Sequence, residues 1–297
     1  VYLLLKKITG KSLAWGCMTG VKPLKKYQML MESGMTEEET EAFFFHNYAL
    51  SPEKTNLLTQ TARVQQDLYR PQKGKAALYV HIPLCPSKCA YCSFPSKVTD
   101  MGSADCQRYL DALLQELSAM RGFSREMGWK IDCVYVGGGT PSILSASQLA
   151  RLLGEIRDFA PDAGEFTFEG GRADTLSKEK LRLLKEGGVN RLSINPQTMK
   201  DETLVRIGRP AGRESFLRAM EEAARLGFES VNCDLILGLE GEREDDCRNS
   251  LKEVLALSPV NLTLHTLCSK KSADIRAEEI AQIQMDAPAL QDEARAL

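Results

Sequence analysis

The chain has 297 residues, of which 43% are apolar and 26% charged, and this balance excludes a disordered or fibrous protein. Its 38 basic and 40 acidic residues leave a formal net charge of −2, so it lacks the basic excess that holds nucleic acid or anionic lipid nonspecifically. It also has no apolar run near the roughly 20 residues that a membrane span requires. Nine cysteines at uneven spacing argue against a secreted disulfide framework and favour a cytoplasmic protein with reduced thiols.

Residues 1–75 are predicted to form a mainly helical N-terminal segment. Glu37–Tyr48 has a helical pattern, because Thr36 can cap its start and acidic residues fill its first turn. Ser51-Pro52-Glu53 predicts the start of another helix, which we expect to end near Tyr69, where a proline-containing stretch follows.

From residue 76 to about 275 the sequence alternates between strand and helix patterns. Six strands are predicted, at residues 77–83, 131–136, 165–169, 191–194, 230–235 and 261–265. The predicted helices between and after them cover residues 105–120, 147–159, 178–186, 203–207, 214–226 and 245–257. This alternation implies a parallel sheet with right-handed crossovers, and the strands are too few for a closed (β/α)8 barrel. The predicted fold class is therefore α/β, either a doubly wound sheet or an incomplete barrel.

The two ends of the sequence suggest a shortened chain. It begins with Val1 rather than Met, and its acidic last residues, 276–297, are only weakly amphipathic. We expect 276–297 to be the start of a truncated C-terminal region.

Three cysteines in a C-x3-C-x2-C pattern follow the first predicted strand directly, namely Cys85, Cys89 and Cys92. A loop this short can bring three thiolates to one [4Fe–4S] cluster, which leaves one iron without a protein ligand. The alternative is a structural zinc site, but such a site closes with four ligands, and no second cysteine pair or nearby histidine completes one here. The pattern therefore favours an iron–sulfur cluster.

Other candidate ligand contacts lie at the predicted strand ends. Gly137-Gly138-Gly139-Thr140 can let backbone approach a ligand closely, although a tight turn explains a glycine run about as well. Glu169 ends the third strand, where a carboxylate is either a ligand contact or a solvated turn residue. Asp234 lies in an apolar run and is either a hydrogen-bonded core acid or a partner for ribose hydroxyls.

These motifs resemble those of the radical S-adenosyl-L-methionine (SAM) superfamily, and most of the chain resembles its oxygen-independent coproporphyrinogen III oxidase group, HemZ type. The matching stretches are WGCMTGVKP (15–23), YVHIPLCPSKCAYCSF (79–94), YVGGGTPS (135–142), FTFEGGRADT (166–175), RLSINPQTM (191–199), RIGRP (206–210), DLILGLEGE (234–242) and HTLCSKKSA (265–273). The resemblance implies an incomplete (β/α)6 radical SAM barrel over residues 76–275, preceded by the helical segment.

The resemblance also implies two cofactors, a [4Fe–4S] cluster and SAM, which chelates the open iron. An electron from the cluster would cleave a C–S bond of SAM, and the resulting 5′-deoxyadenosyl radical would abstract hydrogen. The implied cluster ligands and catalytic residues are Cys85, Cys89 and Cys92. The implied SAM contacts are Tyr79, Tyr91, Gly138, Gly139, Thr140, Glu169, Gln197, Arg209, Asp234 and Cys268. Among these, Glu169 would meet the amino group, Arg209 would suit a carboxylate, and Gln197 and Asp234 would hold the adenosine.

The function implied by the resemblance is oxidative decarboxylation of coproporphyrinogen III to protoporphyrinogen IX in heme and porphyrin biosynthesis. The implied partners are that tetrapyrrole substrate and a low-potential electron donor such as flavodoxin or ferredoxin, with no nucleic acid and no membrane. Arg172, Lys270 and Lys271 are candidates to receive substrate carboxylates.

Two other functions remain as alternatives. Phe94 stands where the better-known anaerobic enzymes carry a fourth cysteine, as it does in the related heme chaperones, so a chaperone that transfers heme without decarboxylation is one. A radical SAM enzyme that acts on a different tetrapyrrole is the other. Elsewhere, Cys133 and Cys233 are expected to be small core residues, and His81 and His265 to serve either in packing or in proton transfer.

Overall fold

The computed structural model describes residues 1–18, 22–68, 72–210, 212–268, 290–291 and 293–294. The chain divides into two compact units, Val1–Lys73 and Gly74–Leu297. In the part of the chain that is described, no helix is both long and apolar enough to cross a membrane.

The first unit is helical, as predicted, with α1 (Tyr2–Thr9), α2 (Pro23–Glu32), α3 (Glu37–Tyr48) and α4 (Pro52–Leu68). The predicted bounds of α3 are confirmed, because its capping box forms: Glu39 N donates to Thr36 Oγ1 at 3.2 Å, and Thr36 N donates to Glu39 Oε2 at 2.8 Å. Helices α1 and α2 were not predicted; neither has a side-chain N-cap, and α1 buries none of its residues.

The second unit contains a parallel sheet of six strands, β1 (Lys75–Ile82), β4 (Lys130–Gly138), β5 (Glu165–Gly171), β6 (Arg191–Ile194), β7 (Ser230–Leu237) and β8 (Asn261–Thr266). A short parallel pair, β2 (Leu84–Cys85) with β3 (Lys97–Val98), was not anticipated. The helices are α5 (Ala104–Glu126), α6 (Ala146–Phe159), α7 (Lys178–Glu186), α8 (Asp201–Arg206), α9 (Gly212–Leu226) and α10 (Glu244–Leu255).

The strand order separates the two predicted α/β architectures. The sheet runs β1-β4-β5-β6-β7-β8, so each strand lies beside its predecessor in the sheet and the order never reverses. A doubly wound sheet requires such a reversal, whereas a barrel is built in one rotational direction. The structure therefore confirms the α/β prediction in its incomplete-barrel form.

Alternate residues of each strand face opposite sides of the sheet, as strand geometry requires. One side is apolar and packs under the helices in the main core, with residues such as Val136, Phe168 and Leu192 at most 1% exposed. The other side, which we call the inner face, carries Tyr79 and Tyr135 paired in register between β1 and β4. The expectation that Cys133 is a core residue is wrong, because it shares the side of Tyr135.

A buried lysine joins two loops at the carboxyl-terminal edge of the sheet. Lys180 is 4% exposed, and its Nζ donates to Ser142 O at 2.7 Å and Thr175 O at 3.0 Å. Ser142 follows β4 and Thr175 follows β5, so the lysine connects the turns after two neighbouring strands. Burial lowers the pKa of Lys180 to about 8.

Neighbouring residues on β6 test the two sides of the sheet. Leu192→Ala should lower the free energy of unfolding by about 2–5 kcal/mol, because it leaves a cavity in the core. Arg191→Ala removes an exposed side chain 3.8 Å from Glu165 and should cost less than about 1 kcal/mol. Urea unfolding of both variants measures the difference, and equal losses would contradict this assignment of the two sides.

Lys180 should make stability depend on alkaline pH. Its folded pKa of about 8 lies below the value of about 10.4 for an unfolded chain, so the unfolded state binds more protons between these pH values. The free energy of unfolding of the wild type, relative to Lys180→Met, should therefore rise as pH increases from 8 to about 10.

Urea unfolding at several pH values measures this difference. Lys178→Met is the control, because it removes a lysine of the same helix whose side chain is 70% exposed. The prediction fails if the two variants show the same pH dependence relative to the wild type.

Candidate cofactor site

A cavity of about 170 Å³ lies between the strand ends and residues 85–92, which we call the cysteine loop. All but two of the predicted site residues line it: Cys85, Cys89, Tyr91, Cys92, Gly138, Gly139, Thr140, Glu169, Gln197, Arg209 and Asp234. Of the other two, Cys268 lines an adjoining cavity of about 340 Å³, which shares Gln197 and Asp234 with the first. Tyr79 lies on the inner face, with its ring centroid 5.8 Å from that of Tyr135.

The cysteine loop is held by hydrogen bonds to segments outside it. Thr99 N donates to Cys85 O at 2.9 Å, which continues the β2–β3 pairing. Two side chains donate to thiol sulfurs: Thr140 Oγ1 to Cys85 Sγ and the guanidinium Nε of Arg209 to Cys89 Sγ, both at 3.4 Å. Both sulfurs are therefore contacted by residues that themselves line the cavity.

The described side chains do not form a site for a single metal ion. Within the described residues, no group of three or more His, Cys, Asp or Glu side chains lies close enough to hold a metal ion. Four thiolates on one zinc ion must all be about 2.3 Å from it, whereas a cubane distributes its ligands over separate iron atoms and needs them further apart. The described residues therefore do not provide the closed four-ligand site that the zinc alternative requires.

The glycine run between β4 and the following turn is required by close approach. A Cβ on Gly137 would lie 2.9 Å from Glu169 Oε2, and one on Gly139 would lie 2.9 Å from Cys85 Sγ. Gly138 has a φ of 114°, and a Cβ there would collide with the His81 ring. These glycines thus let the backbone lie against both the cysteine loop and Glu169. A tight turn alone would not require these close contacts, so they favour the ligand-site interpretation of the glycine run.

Glu169 accepts a hydrogen bond from the Tyr135 hydroxyl. Burial raises the pKa of Tyr135, and the Glu169 carboxylate raises it further, so the phenol stays protonated and donates. Sequence reasoning missed Tyr135. It could have been found from strand alternation, because Tyr135 is two positions before Gly137 and therefore lies on the same side of the sheet as the start of the glycine run.

Two buried amide oxygens in the cavity lining lack partners. Asn195 Oδ1 and Gln197 Oε1 accept no hydrogen bond from any described residue. Gln197 also has a φ of 71°, in the left-handed region, where its N donates to Asp234 O at 2.9 Å and its O accepts from Ile236 N at 2.8 Å. Strained backbone and unsatisfied acceptors at one position are typical of a ligand site.

Asp234 lies beside Gln197 and has polar neighbours on its own and the next strand. Asn232 Nδ2 donates to Asp234 Oδ1 at 2.9 Å, and His265 Nε2 is 3.8 Å from Asp234 Oδ2. Burial disfavours the charged carboxylate, but His265 and Asn232 outweigh this and hold the pKa of Asp234 below its ordinary value. The aspartate is therefore a charged acceptor at the cavity, not a core acid.

The two arginines of the cavity are already engaged. Arg209 donates from Nη1 to Asn195 O at 2.7 Å, and its guanidinium carbon lies 6.0 Å from the centre of the Tyr91 ring. Arg172 was expected to receive a substrate carboxylate, but it is 5% exposed and pairs with Asp174 at 2.6 Å. Lys270, Lys271 and most of 276–297 lie outside the described residues.

The residues present fit a [4Fe–4S] cluster with a small polar ligand. Three thiols share one short loop, and the glycine backbone leaves room beside them. The amide oxygens of Asn195 and Gln197, which line the same cavity, are unsatisfied acceptors. A ligand with amino and hydroxyl donors matches those acceptors and the carboxylates of Glu169 and Asp234.

Comparison of the sequence with known families and proteins gives three informative matches. The family model of the radical SAM superfamily matches residues 79–254. The oxygen-independent coproporphyrinogen-III oxidase-like protein HemZ of Bacillus subtilis is 35% identical over 97% of this chain and 61% of its own length. The heme chaperone HemW of the same organism is 36% identical over 64% of this chain and 49% of its own length.

Among solved structures, coproporphyrinogen III oxidase HemN of Escherichia coli, a radical SAM enzyme, matches with a TM-score of 0.62 and 26% identity. The match covers 79% of this chain and 56% of that one, so the chain spans little more than half of this relative. The chain belongs to the radical SAM superfamily, it is similar to HemZ and HemN, and its cofactors are a [4Fe–4S] cluster and SAM.

Proposed function

We propose that this chain decarboxylates propionate side chains of coproporphyrinogen III to vinyl groups without oxygen, giving protoporphyrinogen IX. One observation carries the proposal: similarity to HemZ extends over 97% of the chain and so includes the helical first unit, whereas similarity to HemW covers 64%. The similarity to HemZ therefore includes both units of this chain, which makes the chemistry of a coproporphyrinogen oxidase-like relative the better-supported analogy.

The proposed cluster ligands are Cys85, Cys89 and Cys92. When bound, the cluster and SAM supply a 5′-deoxyadenosyl radical that abstracts hydrogen. The chain's part is to bind and orient SAM: Glu169, fixed by Tyr135, would receive the amino group.

The adenosine end of SAM would meet a different part of the cavity. The free oxygen of Gln197 and the carboxylate of Asp234 both accept hydrogen bonds, which suits ribose hydroxyls and the adenine amino group. The remaining proposed SAM contacts are Tyr79, Tyr91, Gly138, Gly139, Thr140, Arg209 and Cys268.

The substrate would lie against the inner face. Its propionate loses one hydrogen from the β-carbon, then carbon dioxide and one electron, which leaves a vinyl group. The electron passes to an acceptor, and a low-potential donor such as flavodoxin or ferredoxin supplies the reducing electron in the cytoplasm. Tyr79 and Tyr135 line this face beside Glu169 and would keep water away from the reacting carbon.

The alternative is a heme chaperone with the same cofactors. It is favoured by Phe94, which is 68% exposed and lines both cavities where the better-known anaerobic enzymes carry a fourth cysteine. The similarity to HemW over 64% of the chain supports it as well.

An anaerobic assay separates the two functions. The reconstituted protein is mixed with SAM, a low-potential reductant and coproporphyrinogen III, and the products are separated by chromatography. We expect protoporphyrinogen IX, with one 5′-deoxyadenosine for each propionate converted, because each conversion removes one hydrogen atom. Stable heme binding and transfer to an acceptor protein, without carbon dioxide release, would contradict the proposal and support the chaperone.

The ligand assignment predicts that Cys89→Ala abolishes the cluster. The wild-type chain should hold about four irons and four sulfides after anaerobic reconstitution, and the variant should retain only a small fraction, because two thiolates do not stably hold a cubane. Iron and sulfide analysis with the visible spectrum measures this. Cys17→Ala, which removes an exposed thiol of the first unit, is the matched control. Unchanged iron and sulfide in the Cys89 variant would show that the assignment is wrong.

A further inference from the structure

A buried arginine connects the cysteine loop to two other loops. Arg172 directly follows β5, and its Nε and Nη2 donate to both carboxylate oxygens of Asp174, at 3.0 and 2.6 Å. Its Nη1 donates to the Ser87 hydroxyl, between Cys85 and Cys89, and to Gly208 O at 3.2 Å. The cysteine loop, the turn after β5 and the turn after α8 therefore meet at one guanidinium.

The contact between the cysteine loop and the turn after α8 is close. Ser87 Oγ donates to Gly208 O at 3.0 Å while it accepts from Arg172, and Ala90 N donates to Ile207 O at 3.4 Å. Gly208 has a φ of 83°, and a Cβ there would lie 3.3 Å from Lys88 O. Glycine therefore suits this position, because a larger residue would be strained by the left-handed backbone and crowded by the loop.

The Arg172 pair is buried enough for its geometry to matter. The side chains of Arg172 and Asp174 are 5% and 24% exposed. A bidentate pair fixes the plane of the guanidinium, so its remaining nitrogen is aimed at Ser87 and Gly208. Burial disfavours the charged form of Asp174, but Arg172 outweighs this and keeps the pKa of that carboxyl below its ordinary value.

We propose that Arg172 is a positioning residue for the iron–sulfur cluster, which acts by bracing the cysteine loop through Ser87. Its hydrogen bonds go to Asp174, Ser87 and Gly208, so the brace consists of the chain's own residues. It holds the stretch between Cys85 and Cys89 against the strand ends, and the thiols then face the cavity in the arrangement that the cluster needs. The inference rests on the cluster ligands proposed above and is independent of the tetrapyrrole chemistry.

The brace should govern how long the cluster is retained. The experiment reconstitutes the wild-type chain and its variants without oxygen, and then follows the loss of the cluster absorbance after an iron chelator is added. Arg172→Met should lose the cluster about tenfold faster than the wild type, as expected when a buried charged hydrogen bond is removed. Arg172→Lys should not restore retention, because an ammonium group cannot bridge Asp174, Ser87 and Gly208 together.

Ser87→Ala is the second variant, since Arg172→Met leaves a carboxylate unpaired and can prevent folding. It removes the hydrogen bonds of the Ser87 hydroxyl to Arg172 and Gly208 and leaves the Arg172–Asp174 pair intact. It should also accelerate cluster loss, with the melting temperature of the cluster-free protein unchanged. Arg151→Met is the matched control, because it removes an arginine 2.9 Å from Asp111 at the surface, away from the cysteine loop.

The outcomes distinguish the two proposals. If the wild type holds a cluster and Ser87→Ala releases it at the wild-type rate, the brace is wrong and the ligand assignment stands. If Arg172→Lys retains the cluster as the wild type does, charge alone suffices and the positioning role is wrong. If the wild type binds no cluster, both the ligand assignment and the brace are wrong.

Discussion

Three thiols within one short loop are the constraint on which the rest of the site depends. As thiolates they repel one another, and burial together with Cys89 and Cys85 raises the pKa of the Cys92 thiol. Donors from other segments contact two of the thiols. Thr140 donates to Cys85 Sγ, and the buried guanidinium of Arg209 donates to Cys89 Sγ. The strand order β1-β4-β5-β6-β7-β8 makes this possible, because it brings the loops after successive strands to one edge of the sheet.

The two sides of the sheet have different roles. The apolar side supplies the rigidity, since residues such as Phe168 are fully buried under the helices. The inner face supplies polar groups, and Glu169 and Asp234 occupy it two strands apart. Because alternate residues of one strand serve the two purposes, a shift of the register by one residue would remove both the core and the site.

Much of this organisation could be predicted from the sequence. The bounds of α7 and β6 matched the prediction, because local caps and short apolar runs determine them. The parts that could not be predicted depend on contacts between distant residues. The partner of Tyr135 is 34 positions away, and the partner of Arg172 in the cysteine loop is 85 positions away. The place of Arg172 near a strand end made it a candidate to receive a substrate carboxylate, and only the folded chain shows that Asp174 and Ser87 already bind it.

The left-handed backbone at Gln197 has a thermodynamic consequence. Hydrogen bonds to Asp234 O and from Ile236 N hold the main chain there, and both partners belong to the chain itself. The entropy of ordering this residue is lost when the chain folds and not when a ligand binds. The hydrogen bond from a bound adenosine to the Gln197 amide would therefore not be offset by that loss. Substitutions that relax this backbone would therefore weaken association chiefly through entropy, with the enthalpy of each contact nearly unchanged.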